Sequence, residues 1–65
     1  MDPDACFSEL LDALACGEED EAHHHADELL GWLARGGFLP GGGNIRESAI
    51  RSFCDWVKRT YRLEQ

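Results

Sequence analysis

The first 34 residues of this chain contain no lysine and no arginine, although they contain ten aspartates and glutamates. Their formal charge is therefore −10, while residues 35–65 carry six basic and three acidic residues and a formal charge of +3. Nucleic-acid binding is normally marked by a basic surface on the scale of the whole domain, which the first half lacks. The segregation of charge predicts that acidic helices fold against a basic one, or that one end of the chain meets an oppositely charged partner.

Long apolar runs and paired cysteine motifs are also missing. The longest uninterrupted apolar run is Ala13–Cys16, far shorter than a secretory signal core or a membrane span of about 20 residues. Three cysteines, Cys6, Cys16 and Cys54, cannot all pair within one chain, and they form no CxxC motif. We therefore expect reduced thiols and a cytoplasmic location.

The short length of the chain limits what it can do. Sixty-five residues suffice for one domain, residues 1–65, whose single hydrophobic core is marginal. Domains of this size usually gain stability from disulfides, a metal ion or self-association. We expect no enzyme, no catalytic residues and no cofactor, because no such motif occurs and little chain is left to build a water-excluding pocket beside the core.

Apolar periodicity predicts an all-α fold, a three-helix domain. The first helix starts at Asp2 and Pro3, an N-cap and first-turn pair, and ends near Gly17. Because only a few residues around Gly17 separate it from the second helix, the two should form an antiparallel αα-hairpin. The predicted helix bounds are about 3–16, 19–36 and 45–62. The apolar stripe of the first helix is Phe7, Leu10, Leu11 and Leu14.

A Gly/Pro loop, residues 37–43, separates the hairpin from the third helix. It lacks the preceding strand and the Gly-Lys-Ser/Thr sequence of a phosphate-binding loop, so we interpret it as a helix stop. A left-handed Gly37 would end the second helix in a Schellman motif, with Leu33 and Phe38 in contact. The glycines that follow predict a joint whose angle is only weakly fixed by local sequence.

The third helix is predicted to begin at Asn44, which with Glu47 forms an asparagine variant of the capping box. Its apolar arc approaches half the circumference, with Trp56 and Tyr61 towards opposite margins. Docking on one hairpin needs less, so we expect this helix to pack in the groove of its own hairpin, or of a neighbour's in a domain-swapped dimer, and to retain apolar surface for a partner. The arc comprises Ala49, Ile50, Phe53, Trp56, Val57 and Tyr61.

Protein–protein interaction or self-association is the function that these features favour. Aromatic and amphipathic residues at the margins of apolar faces are typical interface anchors. The expected partner is another protein or a second copy of the chain, and no membrane is expected to take part. The candidate interaction residues are Trp32, Trp56, Tyr61, His25, Arg51, Lys58 and Arg62.

Nucleic-acid association through the basic face of the third helix is the first alternative. The cations of that face could lie along a phosphate backbone, but the acidic hairpin would repel the same backbone. The glycine-rich segment is also longer than the turn of a helix-turn-helix unit. Nucleic acid is therefore disfavoured as a partner.

Histidine-dependent metal or pH sensing is the second alternative. Consecutive side chains diverge by about 100° on a helix, so the three neighbours at positions 23–25 cannot converge on one ion. The usable pairs, His23 with Asp27 and His24 with Glu28, are half-sites, and we expect no metal site. Protonation of the histidines near pH 6 would nevertheless add positive charge beside the acidic cluster.

Overall fold

The computed structural model describes residues 2–61, and this part of the chain contains three α-helices and no strand. The predicted all-α fold, an αα-hairpin followed by a third helix, is confirmed. The elements in chain order are α1 (Pro3–Cys16), α2 (Glu19–Ala34), a 3₁₀ turn (Pro40–Gly43) and α3 (Glu47–Thr60).

The cap of α1 is the one that the sequence predicts. Oδ1 of Asp2 accepts hydrogen bonds from the backbone N–H of Asp4 at 3.0 Å and of Ala5 at 3.4 Å. Pro3 occupies the first helical turn. Backbone N–H groups in this turn make no hydrogen bond within the helix, so the helix loses nothing by the missing N–H of proline. Gly17 is left-handed (φ 72°) at the end of α1, and the chain turns there into α2. This short turn makes α1 and α2 antiparallel neighbours.

α2 ends at Ala34, two residues earlier than predicted, because the left-handed residue is Gly36 (φ 83°) and not Gly37. The N–H of Gly36 donates to the carbonyl of Leu33 at 3.0 Å. The N–H of Gly37 donates to the carbonyl of Trp32, also at 3.0 Å. These two bonds form a Schellman motif, one residue before the predicted position.

The Trp32 ring explains why position 37 is a glycine. A Cβ atom at that position would overlap the indole. The indole Nε1 donates a hydrogen bond to the carbonyl of Phe38 at 2.9 Å, and the Phe38 ring meets it edge-to-face with centroids 5.5 Å apart. Phe38 therefore packs on Trp32 and stays 67% exposed, instead of joining the buried Leu33 as predicted.

Contacts with α1 hold the glycine segment in place. Pro40 is fully buried, and a carboxylate oxygen of Asp4 accepts a hydrogen bond from the N–H of Gly41. Gly41 and Gly42 are both left-handed, with φ of 74° and 63°, a conformation that other residues rarely adopt. The joint that local sequence fixes weakly is thus fixed by a tertiary contact.

α3 begins at Glu47, and the predicted cap at Asn44 is wrong. Asn44 has helical backbone angles (φ −72°, ψ −19°), and its N–H donates to the carbonyl of Gly41 at 3.2 Å. Asn44 therefore belongs to the preceding turn. Arg46 takes the extended cap position and supplies no side-chain hydrogen bond.

α3 ends at Thr60, because Tyr61 departs from helical geometry (φ −111°, ψ 59°). The predicted end near Arg62 is two residues later, and Arg62 lies outside the described residues.

α2 is the central helix of the bundle. Its alanines Ala22 and Ala26 are fully buried, and small side chains allow neighbouring helices to approach closely. Both α1 and α3 pack on α2, and together they bury one core. The core residues are Cys6, Leu10, Ala13, Ala22, Ala26, Leu29, Leu33, Ile50, Cys54 and Val57.

α3 packs on the hairpin as predicted, mainly along α2, and meets α1 through side chains. No Cα atom of α1 lies within 8 Å of a Cα atom of α3. Phe7, early in α1, meets Phe53 of α3, while Leu14, late in α1, lines the same cleft as Tyr61. α1 and α3 therefore run in the same direction, side by side on α2, with the Phe7 and Phe53 rings between them.

Candidate functional site

The space between α1 and α3 is lined by aromatic and aliphatic side chains, and we call it the aromatic groove. Phe7 and Phe53 meet edge-to-face there, with ring centroids 6.1 Å apart. Trp56 stacks on Phe53 at 6.2 Å and meets Tyr61 edge-to-face at 6.0 Å. These pairs form one continuous row of rings across the two helices. The groove comprises Phe7, Leu11, Leu14, Phe53, Trp56 and Tyr61.

Two of the larger side chains of the groove remain open to solvent. Trp56 is 47% exposed, and Leu11 is 45% exposed. Leu11 follows Phe7 by one helical turn, which places both residues on the same side of α1. Large exposed apolar side chains on adjacent elements form the kind of patch that marks an interaction site.

Most exposed positions that border the groove carry small, uncharged side chains; the exception is Asp4, two turns before Leu11, which is bonded to Gly41. Helical spacing places them on either side of Leu11 and Trp56, between the groove and the charged faces of the two helices. A lack of charge and an excess of aromatic residues distinguish the centre of a protein interface from other surface. Small side chains also permit a partner backbone to come close. The border residues are Ser8, Ala15, Ala49, Ser52 and Thr60.

Trp56 and Tyr61 lie together, not at opposite margins of α3 as predicted. The prediction continued the helix through position 61, where regular geometry would carry the tyrosine away from the tryptophan. Because α3 ends at Thr60, the chain turns and returns the Tyr61 ring to the Trp56 ring.

The other two aromatic or histidine candidates lie elsewhere. Trp32 is at the far end of α2, where it is bonded to Phe38 within the chain. His25 lies on the seam between α1 and α2, with 18% of its side chain exposed. The aromatic and histidine candidates are therefore divided among three places, and of these only Trp56 and Tyr61 lie together.

His25 is surrounded by carboxylates. Its Nδ1 lies 3.7 Å from Oε2 of Glu9 on α1 and 3.9 Å from Oε1 of Glu28, and its Nε2 lies 3.7 Å from Oε2 of Glu21. The backbone carbonyl of His25 accepts a bond from the Cys6 thiol at 3.4 Å. Despite these neighbours, no three His, Cys, Asp or Glu side chains within residues 2–61 are arranged to hold a metal ion.

The candidate metal half-sites are engaged otherwise. Asp27 accepts a hydrogen bond from Nζ of Lys58 at 2.6 Å, and this bond is the main reason that the pKa of the Asp27 carboxyl is lowered. The rings of His23 and His24 meet edge-to-face at 6.4 Å. Nδ1 of His23 is buried without a hydrogen-bond partner among the described residues. The structure therefore does not bring His23 and Asp27 together as metal ligands.

The basic face of α3 is divided by ion pairs. Nε of Arg51 lies 2.7 Å from Oε2 of Glu47, and Lys58 is bonded to Asp27 on α2. Arg59 has no carboxylate partner within the described part of the chain; its Nε donates only to the backbone carbonyl of Asp55. Two of the cations proposed for a phosphate stripe are thus matched by carboxylates of the same chain.

The two buried cysteines, Cys6 and Cys54, are not activated nucleophiles. Burial raises the pKa of the Cys54 thiol to about 11. Burial, with smaller contributions from Glu28 and Glu9, also raises the pKa of the Cys6 thiol. Both shifts disfavour the thiolate, which is the reactive form. Cys16 is exposed, and all three thiols are free.

Sequence reasoning missed the contribution of α1 to the groove. Leu10 and Leu11 belong to one predicted stripe, yet Leu10 is fully buried and Leu11 is nearly half exposed. The apolar stripe of α1 is wider than the surface that packs on α2, so one edge of it, which includes Leu11, remains exposed. In the sequence, the width of this stripe and the width of the α3 arc both indicate more apolar surface than packing on α2 would bury.

No known family model, curated protein or solved structure matches this chain. Within residues 2–61, every helix is too short or too polar to cross a membrane.

Proposed function

We propose that this protein is a small protein–protein interaction module, and that the aromatic groove is its binding surface. The observation that carries the proposal is the half-exposed Trp56, held in a row of rings between α1 and α3. Tryptophan is among the residues that contribute most to binding energy at interfaces, particularly where neighbouring groups exclude water. Burying the exposed part of Trp56 and Leu11 under a partner would remove apolar surface from water.

The shape of the groove suits a helical partner. The two parallel helices carry the row of rings between them, and a third helix can lie along that row with its apolar residues against Trp56 and Leu11. The small border residues, such as Ala15 and Ser52, leave room for that approach. The groove is therefore expected to recognise an amphipathic α-helix, not an extended peptide.

Charge supports a protein partner over nucleic acid. The only charged residue beside the aromatic groove on α1 is the acidic Asp4, whereas a phosphate backbone needs a row of unmatched cations. Arg51 and Lys58 lie away from the groove in pairs with Glu47 and Asp27. We also propose a cytoplasmic location, since free buried thiols such as Cys6 and Cys54 suit a reducing compartment.

Site-specific photocrosslinking tests this proposal and identifies the partner in the same experiment. A photoreactive benzoylphenylalanine would replace Ser52, which is exposed on the border of the groove one helical turn before Trp56. The matched control carries the same residue in place of His24, which is exposed on α2. After irradiation of cells that produce each variant, we expect a protein adduct at position 52 and none at position 24.

Two results would contradict the proposal. One is the absence of an adduct at position 52 when circular dichroism shows the variant to be folded. The other is a set of adducts that is the same at positions 52 and 24, since this would indicate random collisions and no binding surface.

A further inference from the structure

We propose that the occupant of the aromatic groove is a second copy of this chain, related to the first by a twofold axis that runs along the helices. In this dimer, Trp56 of each copy covers Leu11 of the other, and Arg59 of each copy faces Asp12 of the other. The inference rests on the proposed function and adds the identity of the partner.

The first argument for this dimer is the way in which residues of α1 and α3 are aligned along the helix axes. Phe7 is level with Phe53, and two turns later Leu14 is level with Tyr61, so the parallel helices keep a constant register. On that register Leu11 lies within one turn of the height of Trp56. A twofold axis along the helices places α1 of one copy over α3 of the other at unchanged height. The two exposed apolar residues, Leu11 and Trp56, then meet twice in the dimer.

The same register brings opposite charges together at the flank of the interface. Asp12 lies at the height of Arg59, and both residues are exposed; Asp12 borders the cleft between α1 and α2, on the side of α1 away from α3. The twofold rotation places the outer side of α1 of one copy beside the outer side of α3 of the other. Arg59 lacks a carboxylate partner within residues 2–61, and Asp12 of the second copy supplies one.

Charge also favours this axis over a twofold axis that runs across the helices. A twofold axis across the helices would place α1 on α1, and the exposed charges of α1 are all negative: Asp4, Glu9 and Asp12. Like charges placed against each other oppose association. Placing α1 on α3 pairs the acidic helix with the helix that carries Arg59.

The small size of the core provides the third argument. A chain of 65 residues usually needs additional stabilisation, and the three cysteines form no disulfide. The described residues also provide no metal-binding cluster. Association through the groove would bury additional apolar surface and so stabilise the fold, because it removes Trp56 and Leu11 from solvent.

Charge reversal provides the test. The purified full chain and the variants Arg59→Glu and Asp12→Arg would be weighed by light scattering after size exclusion over a hundredfold concentration range. We expect the unmodified chain to change from one chain to two with concentration, and each variant to raise the dissociation constant about tenfold or more. An equimolar mixture of the two variants should recover the dimer, because both flanking contacts then pair opposite charges.

Arg35→Glu is the matched control, since it makes the same change in net charge at the end of α2, away from the groove. The proposal is overturned by a monomer at every concentration, by an Arg35→Glu effect as large as that of Arg59→Glu, or by a mixture that does not recover the dimer. If the chain is monomeric and position 52 still crosslinks to a different protein, the homodimer fails while the interaction function stands. A monomer without any adduct contradicts both.

Discussion

Nζ of Lys58 donates a hydrogen bond to Oδ1 of Asp27 at 2.6 Å and so fastens the last turn of α3 to the middle of α2. This contact bears on both alternatives to a protein-interaction function. Lys58 is one of the cations that would bind a phosphate backbone, and in this contact it is paired with a carboxylate of its own chain. Asp27 is one of the candidate metal ligands, and here it accepts a hydrogen bond from Lys58. The acidic hairpin and the basic third helix thus use opposite charges to hold each other.

The Asp27–Lys58 pair should stabilise the fold in a pH-dependent manner. The bond lowers the pKa of the folded-state Asp27 carboxyl below its ordinary value of about 4. Its contribution is therefore complete above pH 4 and is lost as the pH falls through the folded-state pKa. Both side chains are substantially exposed, so we expect about 0.5 kcal/mol at pH 7.

A double-mutant cycle would measure this contribution. Urea unfolding of the unmodified chain, Asp27→Asn, Lys58→Met and the double variant gives the coupling energy at pH 7 and again at pH 2.5. The expected coupling is present at pH 7 and smaller at pH 2.5. A coupling that grows as the pH falls would show that the pair is not held by the ionised Asp27 carboxylate.

Alanine substitutions at three glycines, one inside α2 and two just after its end, should change the stability of the fold in different ways. A methyl group at Gly37 would displace the Trp32 ring, so Gly37→Ala should destabilise the fold by about 1–3 kcal/mol. Gly36→Ala meets no neighbour but must adopt φ 83°, which should cost about 1–2 kcal/mol. Gly31→Ala, inside α2 with only ordinary contact to Arg35, should stabilise by about 0.5–1 kcal/mol.

Urea unfolding ranks these three variants, and tryptophan fluorescence separates two of them. Only Gly37→Ala should alter the folded-state emission, because only its methyl group would displace the indole of Trp32. A Gly37→Ala protein with unchanged stability and emission would show that the ring does not occupy this position.

The three thiols should differ in their rates of modification. Cys16 is exposed, whereas Cys6 and Cys54 are buried and have raised pKa values. Ellman's reagent at pH 8 should modify one thiol rapidly and the other two only as the protein unfolds. All three should react at once in denaturant. The control, Cys16→Ser, should have no rapid thiol; a remaining rapid thiol would place Cys6 or Cys54 at the surface.

The helix content was predictable where local sequence decides it, and the ends of α2 and α3 were not. Asp2 and Pro3 act within one turn, so the start of α1 follows from sequence. The cap at Asn44 failed because the preceding turn is set by Asp4, which bonds to Gly41 from a distant part of the chain. No local pattern contains that information.

The aromatic groove was predictable in composition but not in arrangement. The width of the α3 arc indicated spare apolar surface, and Trp56 was correctly placed on it. The exposures of Leu10 and Leu11 depend on how α1 and α3 are placed around α2, and the structure buries Leu10 and leaves Leu11 nearly half exposed. An apolar stripe in the sequence shows how much apolar surface a helix has, but not which part of that surface the other helices bury and which part they leave exposed.

Truncation of the exposed groove residues should weaken association more than folding. Trp56→Ala removes a half-exposed ring, so we expect a loss of about 1 kcal/mol of stability and not the 3–5 kcal/mol of a buried aromatic residue. The same change removes the proposed contact with Leu11 of the second copy and should raise the dimer dissociation constant at least tenfold. Leu11→Ala should have a smaller effect in the same direction.

Two controls separate association from folding. Phe38→Ala removes a ring that is more exposed than Trp56 but lies outside the groove, so the dimer should persist. Leu29→Ala truncates a fully buried core residue and should cost about 2–5 kcal/mol, close to the whole stability of so small a domain. Light scattering reports the mass and urea unfolding reports the stability. If Trp56→Ala unfolds the chain as Leu29→Ala does, then the ring serves the core of its own chain, and the groove is not a surface kept for a partner.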